Sequence, residues 1–269
     1  MANDFNNLFS VKGKVALVTG GSRGIGEMIV DGFLDAGCSK VYISSRKADV
    51  CEKIAKELTR PGGECIALAQ DISTVDGCNK LAAALQAKEK KLDILVNNAG
   101  AAWGADFPDH PESGWDKVVD LNLKSPFFLT QALYPALKAA ATRETPAKII
   151  NIASIDGLRL NPQETYSYAA SKSGLIFLTR RMAARLVRDN IFVNAIAPGA
   201  FASEMNRTAR DQGDLVARGI PSRRIGTPED MAGAAIYLAS RAGDYVIGST
   251  IAVDGGITYA SAGTPASSI

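Results

Sequence analysis

The chain alternates short apolar, β-branched runs with longer stretches whose apolar positions recur at helical spacing. This pattern predicts strands over residues 14–19, 40–45, 64–69, 92–97, 147–154, 191–197 and 250–253. Between them it predicts helices over 24–36, 48–58, 74–88, 111–141, 165–189 and 228–239. The strand runs are apolar at nearly every position, so both of their faces need cover. Helices supply that cover in a parallel, doubly wound sheet. The expected class is α/β: a single-domain Rossmann fold, a doubly wound parallel sheet of about seven strands with helices on both faces. No linker, repeat or low-complexity run divides the 269 residues, so one domain is expected over 1–269. Only the tail at 257–269, rich in Ser, Ala and Gly, reads as poorly anchored.

Composition narrows the function classes. A 46% hydrophobic content supports a full core, and a mean hydropathy near zero argues against a membrane protein. A net charge of +2 gives no case for nucleic acid. The first residues lack the basic-then-apolar pattern of a secretory leader, and their apolar run is too short to span a bilayer. A cytoplasmic location is therefore expected. Cys38, Cys51, Cys65 and Cys78 form no C-x-x-C pair, and His110 is the single histidine. The expectation is buried reduced thiols and no metal site.

The candidate chemistry centres on Tyr168-Ala-Ala-Ser-Lys172. Residues four apart on a helix share one face, about a turn apart. A phenol titrates near 10 and is a weak acid or base around neutrality. An ammonium beside it favours the phenolate and lowers that value, which suits Tyr168 to general acid–base work. Ser154, upstream at a strand end, completes a proton-transfer set. Tyr166 is an internal contrast, because the residue four places on is Ala170.

A second stretch, Thr19-Gly-Gly-Ser-Arg-Gly-Ile-Gly26, ends the first strand and opens the first helix. Glycines there let the backbone turn tightly and approach a pyrophosphate, whose charge sits at the helix N-terminus. The spacing Gly20-x-x-x-Gly24-x-Gly26 differs from G-x-G-x-x-G, so only the mechanism of that fingerprint transfers.

With these motifs the chain resembles the short-chain dehydrogenase/reductase family, from about Gly13 to Ile257. The resemblance rests on the glycine turn, Asn97-Asn98-Ala99-Gly100, Asn122, Ser154, Tyr168-x-x-x-Lys172 and Pro198-Gly199. It implies that Asn122, Ser154, Tyr168 and Lys172 are the catalytic group. In that arrangement Ser154 hydrogen-bonds a carbonyl oxygen and Tyr168 gives it a proton. Lys172 tunes the tyrosine and reaches the nicotinamide ribose, and Asn122 holds a relay water. The gap from Ser154 to Tyr168 is one residue longer than the familiar spacing, which implies an altered substrate wall. The resemblance also assigns Gly20, Ser22, Gly24, Ile25 and Gly26 to the nucleotide's phosphates. Asp71 and Ile72 fall to its adenine, Asn98, Ala99 and Gly100 to its ribose side, and Pro198, Gly199 and Ser203 to the nicotinamide.

Charge then selects the nucleotide. NAD-dependent relatives place an acidic residue at the end of the second strand. Here that strand ends in Ser45, Arg46 and Lys47 with no carboxylate, and Arg23 sits within the nearby glycine turn. Two guanidiniums there suit a 2′-phosphate, so NADP(H) is expected.

For the substrate, residues 200–220 occupy the position of the family's lid. Phe201, Met205, Leu215 and Ile220, facing Trp103, Leu158 and Leu160, are expected to line an apolar slot. Overall similarity is to bacterial 3-oxoacyl-acyl-carrier-protein reductases, including the form associated with rhamnolipid precursors. The implied substrate is a small-molecule carbonyl compound, a 3-oxoacyl thioester foremost. Alcohol, hydroxysteroid or xenobiotic carbonyl dehydrogenation within the same family is the alternative. A non-catalytic nucleotide sensor is more remote, since a sensor has no need of a proton donor. The paired helices imply a homotetramer, with a dimer as the lesser assembly. Arg180, Arg181, Arg185 and Arg188, with Arg143, are either a docking patch for an acidic acyl carrier protein or an ordinary solvated or intersubunit face.

Overall fold

The computed structural model describes Phe5 and residues 7–260. Seven strands form one parallel sheet: β1 (Val15–Thr19), β2 (Lys40–Ser44), β3 (Glu64–Ala67), β4 (Ile94–Asn97), β5 (Ala147–Ile152), β6 (Ile191–Pro198) and β7 (Thr250–Val253). Their spatial order is β3-β2-β1-β4-β5-β6-β7. Register follows the side-chain alternation of a strand. Ala16 and Val18 of β1 face one core with α1 (Gly24–Asp35), α2 (Ala48–Leu58) and α9 (Pro228–Ala239). Leu17 faces the other, with α3 (Val75–Gln86), α5 (Ser125–Ala140) and α6 (Tyr166–Leu186). The strand order reverses between β1 and β4, so a crevice opens beyond their carboxyl ends, where open α/β sheets bind ligands.

The predicted elements match to within a few residues at their ends, with one exception of substance. The helix expected over 111–141 is α4 (Glu112–Val119), a π turn over Asp120–Lys124, and then α5. In the π turn the Ser125 N–H reaches back to the Asp120 carbonyl, one residue further than in an α-helix. Pro126 gives a local reason, because it has no N–H to offer the Asn122 carbonyl four residues earlier. The segment expected to be a lid carries two short helices, α7 (Arg207–Asp211) and α8 (Gly213–Arg218). The start of the tail is tied down: the Asp254 carboxylate accepts from the N–H groups of Gly256 at 2.9 Å and Thr258 at 2.7 Å. Residues 261–269 of that tail lie outside the described residues.

All four cysteines are buried and unpaired. No helix among the described residues is long and apolar enough to cross a membrane. On the outward sides of α5 and α6, Phe127 and Phe177 are 40% and 70% exposed, whereas Leu175 packs inward. Phe128, Ala132 and Leu178 are half-buried.

Beneath the carboxyl end of the sheet runs a buried polar chain. The Asn97 amide donates to Asn151 at 2.9 Å, and the Asn151 amide donates to the Thr179 hydroxyl at 2.9 Å. Thr179 in turn donates to the Leu175 carbonyl at 2.8 Å. This chain ties β4 to β5 and β5 to α6 close to the crevice. Asn151→Ala leaves the Asn97 amide with only its long bond to the Thr130 hydroxyl at 3.4 Å and opens a small void. We expect a loss of about 2–4 kcal/mol in chemical denaturation, since an unmatched buried group alone costs about 1–3 kcal/mol. A loss below about 1 kcal/mol would show that the chain is not structurally coupled.

Candidate active site

The site forms where the ends of β1, β4 and β5 meet the N-termini of α1 and α6. At the centre of the crevice the buried Thr19 hydroxyl accepts from the N–H groups of Asn98 and Ala99, each at 3.0 Å. The Asn98 amide answers by donating to the carbonyls of Thr19 at 2.9 Å and Gly20 at 3.2 Å. These bonds fix the glycine turn against the Asn-Asn-Ala-Gly loop. Gly20 has a φ of +66°, and its N–H donates to Ser44 at the end of β2. A Cβ on Gly26 would lie 2.3 Å from the Gly20 carbonyl oxygen, so only glycine lets the helix start this close to the turn. Ser22 is buried and Ile25 packs on the core. No side chain caps the N-terminus of α1, which leaves its first N–H groups for a ligand anion. Arg23 and Arg46 are exposed at the rim, and neither side chain makes a hydrogen bond or ion pair among the described residues. Ser45 sits beside them, half-buried. Asp71 is exposed and Ile72 buried at the end of the β3 segment.

The second half of the site is built on α6. Lys172 is 4% exposed, and its Nζ donates to the Ile152 carbonyl at the end of β5 over 2.7 Å. Burial pushes its ammonium down to about 8. The Tyr168 phenol is pushed up to about 12 by burial, partly offset by a hydrogen bond with Ser154, while Asp156 pushes it further up. This reverses the expectation that Lys172 depresses the tyrosine. The ammonium lies 5.7 Å from the Tyr168 ring centroid and spends its strongest bond on the backbone. Tyr168 is consequently a neutral phenol around neutrality, the form that can give a proton.

Asn122, expected on a helix facing the site, is 1% exposed. Its side-chain oxygen accepts from the Ala101 N–H at 2.8 Å, and its amide donates to the Ala101 carbonyl at 2.9 Å and to Ser171 at 3.1 Å. The side chain is thus held by protein at both its oxygen and its amide. Gly100 lies between Asn122 and Lys172: a Cβ there would be 3.2 Å from the Asn122 oxygen and 3.7 Å from the lysine Nζ. Sequence reasoning missed Ser171, which donates to the Tyr168 carbonyl at 2.8 Å and so links Asn122 to the tyrosine's turn of helix. Its position three residues after Tyr168 is the signal that was available.

Several expected substrate contacts fall elsewhere. Phe201 is 2% exposed and packs against Gly226, where the Gly226 N–H donates to the Ala200 carbonyl at 2.9 Å. It anchors the base of this segment and, with Ile220, lines a small cavity bounded by Ser222, Arg224 and Gly255. Ile220 is likewise buried. Leu160 and Leu215 stand in solvent, as does much of Met205. Trp103 leans back on α4, its ring against Gly114 with Lys117 Nζ 5.1 Å from its centroid. Leu158 packs on the cluster of Ala153 and Ile176 under β5 and β6. Gly199 donates to Val253 at 2.9 Å, directly after Pro198 closes β6, and Ser203 comes against Gly24, carrying the lid over the glycine turn.

The arginine patch is also misplaced for docking at the mouth. α6 starts at the site and runs away from it, so Arg185 lies about 25 Å further along the axis at roughly 1.5 Å per residue. There it pairs with Asp189 at 2.6 Å, and Lys138 joins the same carboxylate at 3.1 Å. This is a structural ion network at the far end of the helix.

A parallel sheet with a glycine turn at its switch point, and a serine, tyrosine and buried lysine at the adjoining strand end, defines an oxidoreductase on a dinucleotide-binding scaffold. A family model described as enoyl-(acyl carrier protein) reductase matches residues 20–258. The 3-oxoacyl-acyl-carrier-protein reductase of rhamnolipid biosynthesis from Pseudomonas aeruginosa is 47% identical, over 92% of this chain and 97% of that protein. The 2-dehydro-3-deoxy-D-gluconate 5-dehydrogenase of Escherichia coli is 41% identical, over 92% of this chain and 96% of its own length. Among solved structures, the Pseudomonas aeruginosa RhlG/NADP active-site complex superposes with a TM-score of 0.89 at 44% identity, covering 93% of this chain and 98% of that one. The chain belongs to the short-chain dehydrogenase/reductase family.

Gly157 tests the geometry. It follows Ser154 in a tight turn, and a Cβ there would meet the Lys172 backbone at 2.7 Å. Gly157→Ala should push the serine turn off α6 and lower kcat about 100-fold while the fold persists, the scale expected for a misplacement of about 1 Å. A kcat within about threefold of wild type would mean that this contact does not set the site.

Proposed function

We propose that the protein is an NADPH-dependent reductase that converts a 3-oxoacyl thioester to its 3-hydroxyacyl form. The observation that carries the reading is the buried Lys172, anchored to the end of β5, with its ammonium 5.7 Å from the Tyr168 ring and Ser154 at the same strand end. Ser154 is oriented by the turn it caps: its Oγ accepts from the Asp156 N–H at 3.1 Å. Its proton is then available to a substrate carbonyl oxygen at the end of β5. Tyr168 gives its proton to the same oxygen as the carbonyl becomes an alcohol. Lys172 holds positive charge beneath them, and the Asn122 carbonyl, which Pro126 has no N–H to meet, is assigned to hold a water through which the lysine recovers a proton.

The residues present fit the nucleotide. The uncapped start of α1 and the Gly20–Gly26 turn make a cradle for a pyrophosphate. The Ser44 hydroxyl is buried without a partner beside the turn, and the unpaired Arg23 and Arg46 suit a 2′-phosphate. Asp71, Ile72, Asn98, Ala99 and Gly100 border the same groove, and Pro198, Gly199 and Ser203 border its far end. NADPH, when bound, supplies the hydride. The rhamnolipid-type relative, a 3-oxoacyl reductase by name, supports the substrate class, and the structure of its complex with NADP supports the cofactor. Other relatives are named for sugar-acid oxidation and reduction, and they give the competing substrate class. A purely sensory role is disfavoured by the intact proton donor.

The experiment follows NADPH consumption against 3-oxoacyl thioesters, sugar keto acids, steroids and simple ketones, in wild type and Tyr168→Phe. Wild type should prefer the thioesters. Tyr168→Phe should retain NADPH affinity and lose about 100-fold or more in kcat, the usual scale of general acid catalysis. Retention of more than about a tenth of wild-type kcat would remove Tyr168 from the role of acid.

A further inference from the structure

The loop between Ser154 and α6 carries a charge that the proposed chemistry does not use. Asp156 stands two residues after Ser154, half-buried, with its own N–H bonded to the serine oxygen. Its carboxylate is held by the Asn161 amide at 2.8 Å, and the Asn161 oxygen accepts from the Gln163 N–H at 2.5 Å. The longer loop is thereby closed on itself with an acidic group fixed in its wall. The turn that Ser154 caps carries this carboxylate two residues from the serine hydroxyl. It therefore adds negative charge to the wall beside the reacting carbonyl.

Most neighbouring cations are committed elsewhere. Arg159 of the same loop has no acid partner but stands exposed, its Nε donating to the Leu160 carbonyl at 3.3 Å. On the lid, Arg210 pairs with Asp211 and Glu204, and Arg207 lies 4.0 Å from Glu204. Lys117 stacks on Trp103, and Lys172 is bound to Ile152. A keto acid entering with its carboxylate toward this wall meets a like charge, and the one cation of the loop, Arg159, stands at its exposed edge.

We propose that Asp156, held by Asn161, is a specificity-determining carboxylate that turns away anionic ketones and reserves the site for neutral ones. This rests on the reading that Ser154 and Tyr168 receive the carbonyl, and it favours the acyl thioester over the sugar acids. Like charges across a partly buried gap give a discrimination of at least about tenfold.

The test compares acetoacetate with ethyl acetoacetate, one ketone with and without the charge, at saturating NADPH. Wild type should favour the ester, and that preference should shrink as salt rises. Asp156→Asn should raise the acetoacetate-to-ester ratio of kcat/KM at least about tenfold, while Asp156→Glu keeps the ratio near wild type. Activity on the ester with an unchanged ratio in Asp156→Asn overturns the assignment and leaves the proposed function standing. A wild-type preference for acetoacetate also overturns it. Turnover of neither ketone nor of a 3-oxoacyl thioester overturns both readings. Should Asp156→Asn fail to fold, the salt series on wild type decides, and a discrimination independent of salt overturns the proposal.

Discussion

A cation buried at the end of a β-strand organises this molecule. Lys172 can stay inside only because the Ile152 carbonyl accepts from it, and that bond fixes α6 against the end of β5. Once α6 is fixed, Tyr168 lies one turn back over Ser154. Burial also separates the two titrating groups in a useful way: the lysine is pushed down to about 8 and the phenol up to about 12. The tyrosine is thus held as an acid while the lysine below it can gain or lose a proton near physiological pH. A pair of this kind is suited to giving a proton to an oxygen that gains electrons, which is the direction of ketone reduction.

The other half of the site depends on backbone packing more than on charge. Thr19, at the end of β1, receives the loop after β4, and Asn98 closes the same junction from the opposite side. The crevice is therefore rigid on its floor. The segment between Phe201 and Ile220 is buried at both of its ends. The Ser154 loop closes the remaining side through Asp156 and Asn161. A floor of glycine and backbone, a wall with one acid, and a segment pinned at both ends together frame the site in which the proposed function brings NADPH and a ketone together.

Much of this was legible in the sequence because the signals were local. The strand and helix periods gave the sheet and its order of elements, and the four-residue spacing of Tyr168 and Lys172 placed both on one face. The glycine turn announced itself by standing between a strand and a helix. What was not legible depended on three-dimensional neighbours. The π turn at Asn122 needed attention to Pro126, four residues on, and the helical period alone hid it. Phe201 looked like a pocket residue because an aromatic in a lid can face either way, and only packing on Gly226 decides. The arginines of α6 read either as a docking patch or as an ordinary solvated or intersubunit face, and the direction of the helix puts Arg185 at the far end, paired with Asp189. The effect of Lys172 on Tyr168 was misjudged because spacing gives adjacency and not the direction in which an ammonium points. Asp156 had no motif to mark it, and its importance comes from Ser154 and Asn161 on either side.

The claim that most needs testing is that a buried, easily deprotonated Lys172 governs the empty site. The pH profile of kcat/KM for NADPH reports ionisations of the free enzyme. Because burial lowers the lysine, its charge is present below about 8 and lost above it. The profile should therefore fall as pH rises through about 8, with a single proton's slope. A profile that stays flat until an ordinary lysine titrates, near 10.4, would contradict the account.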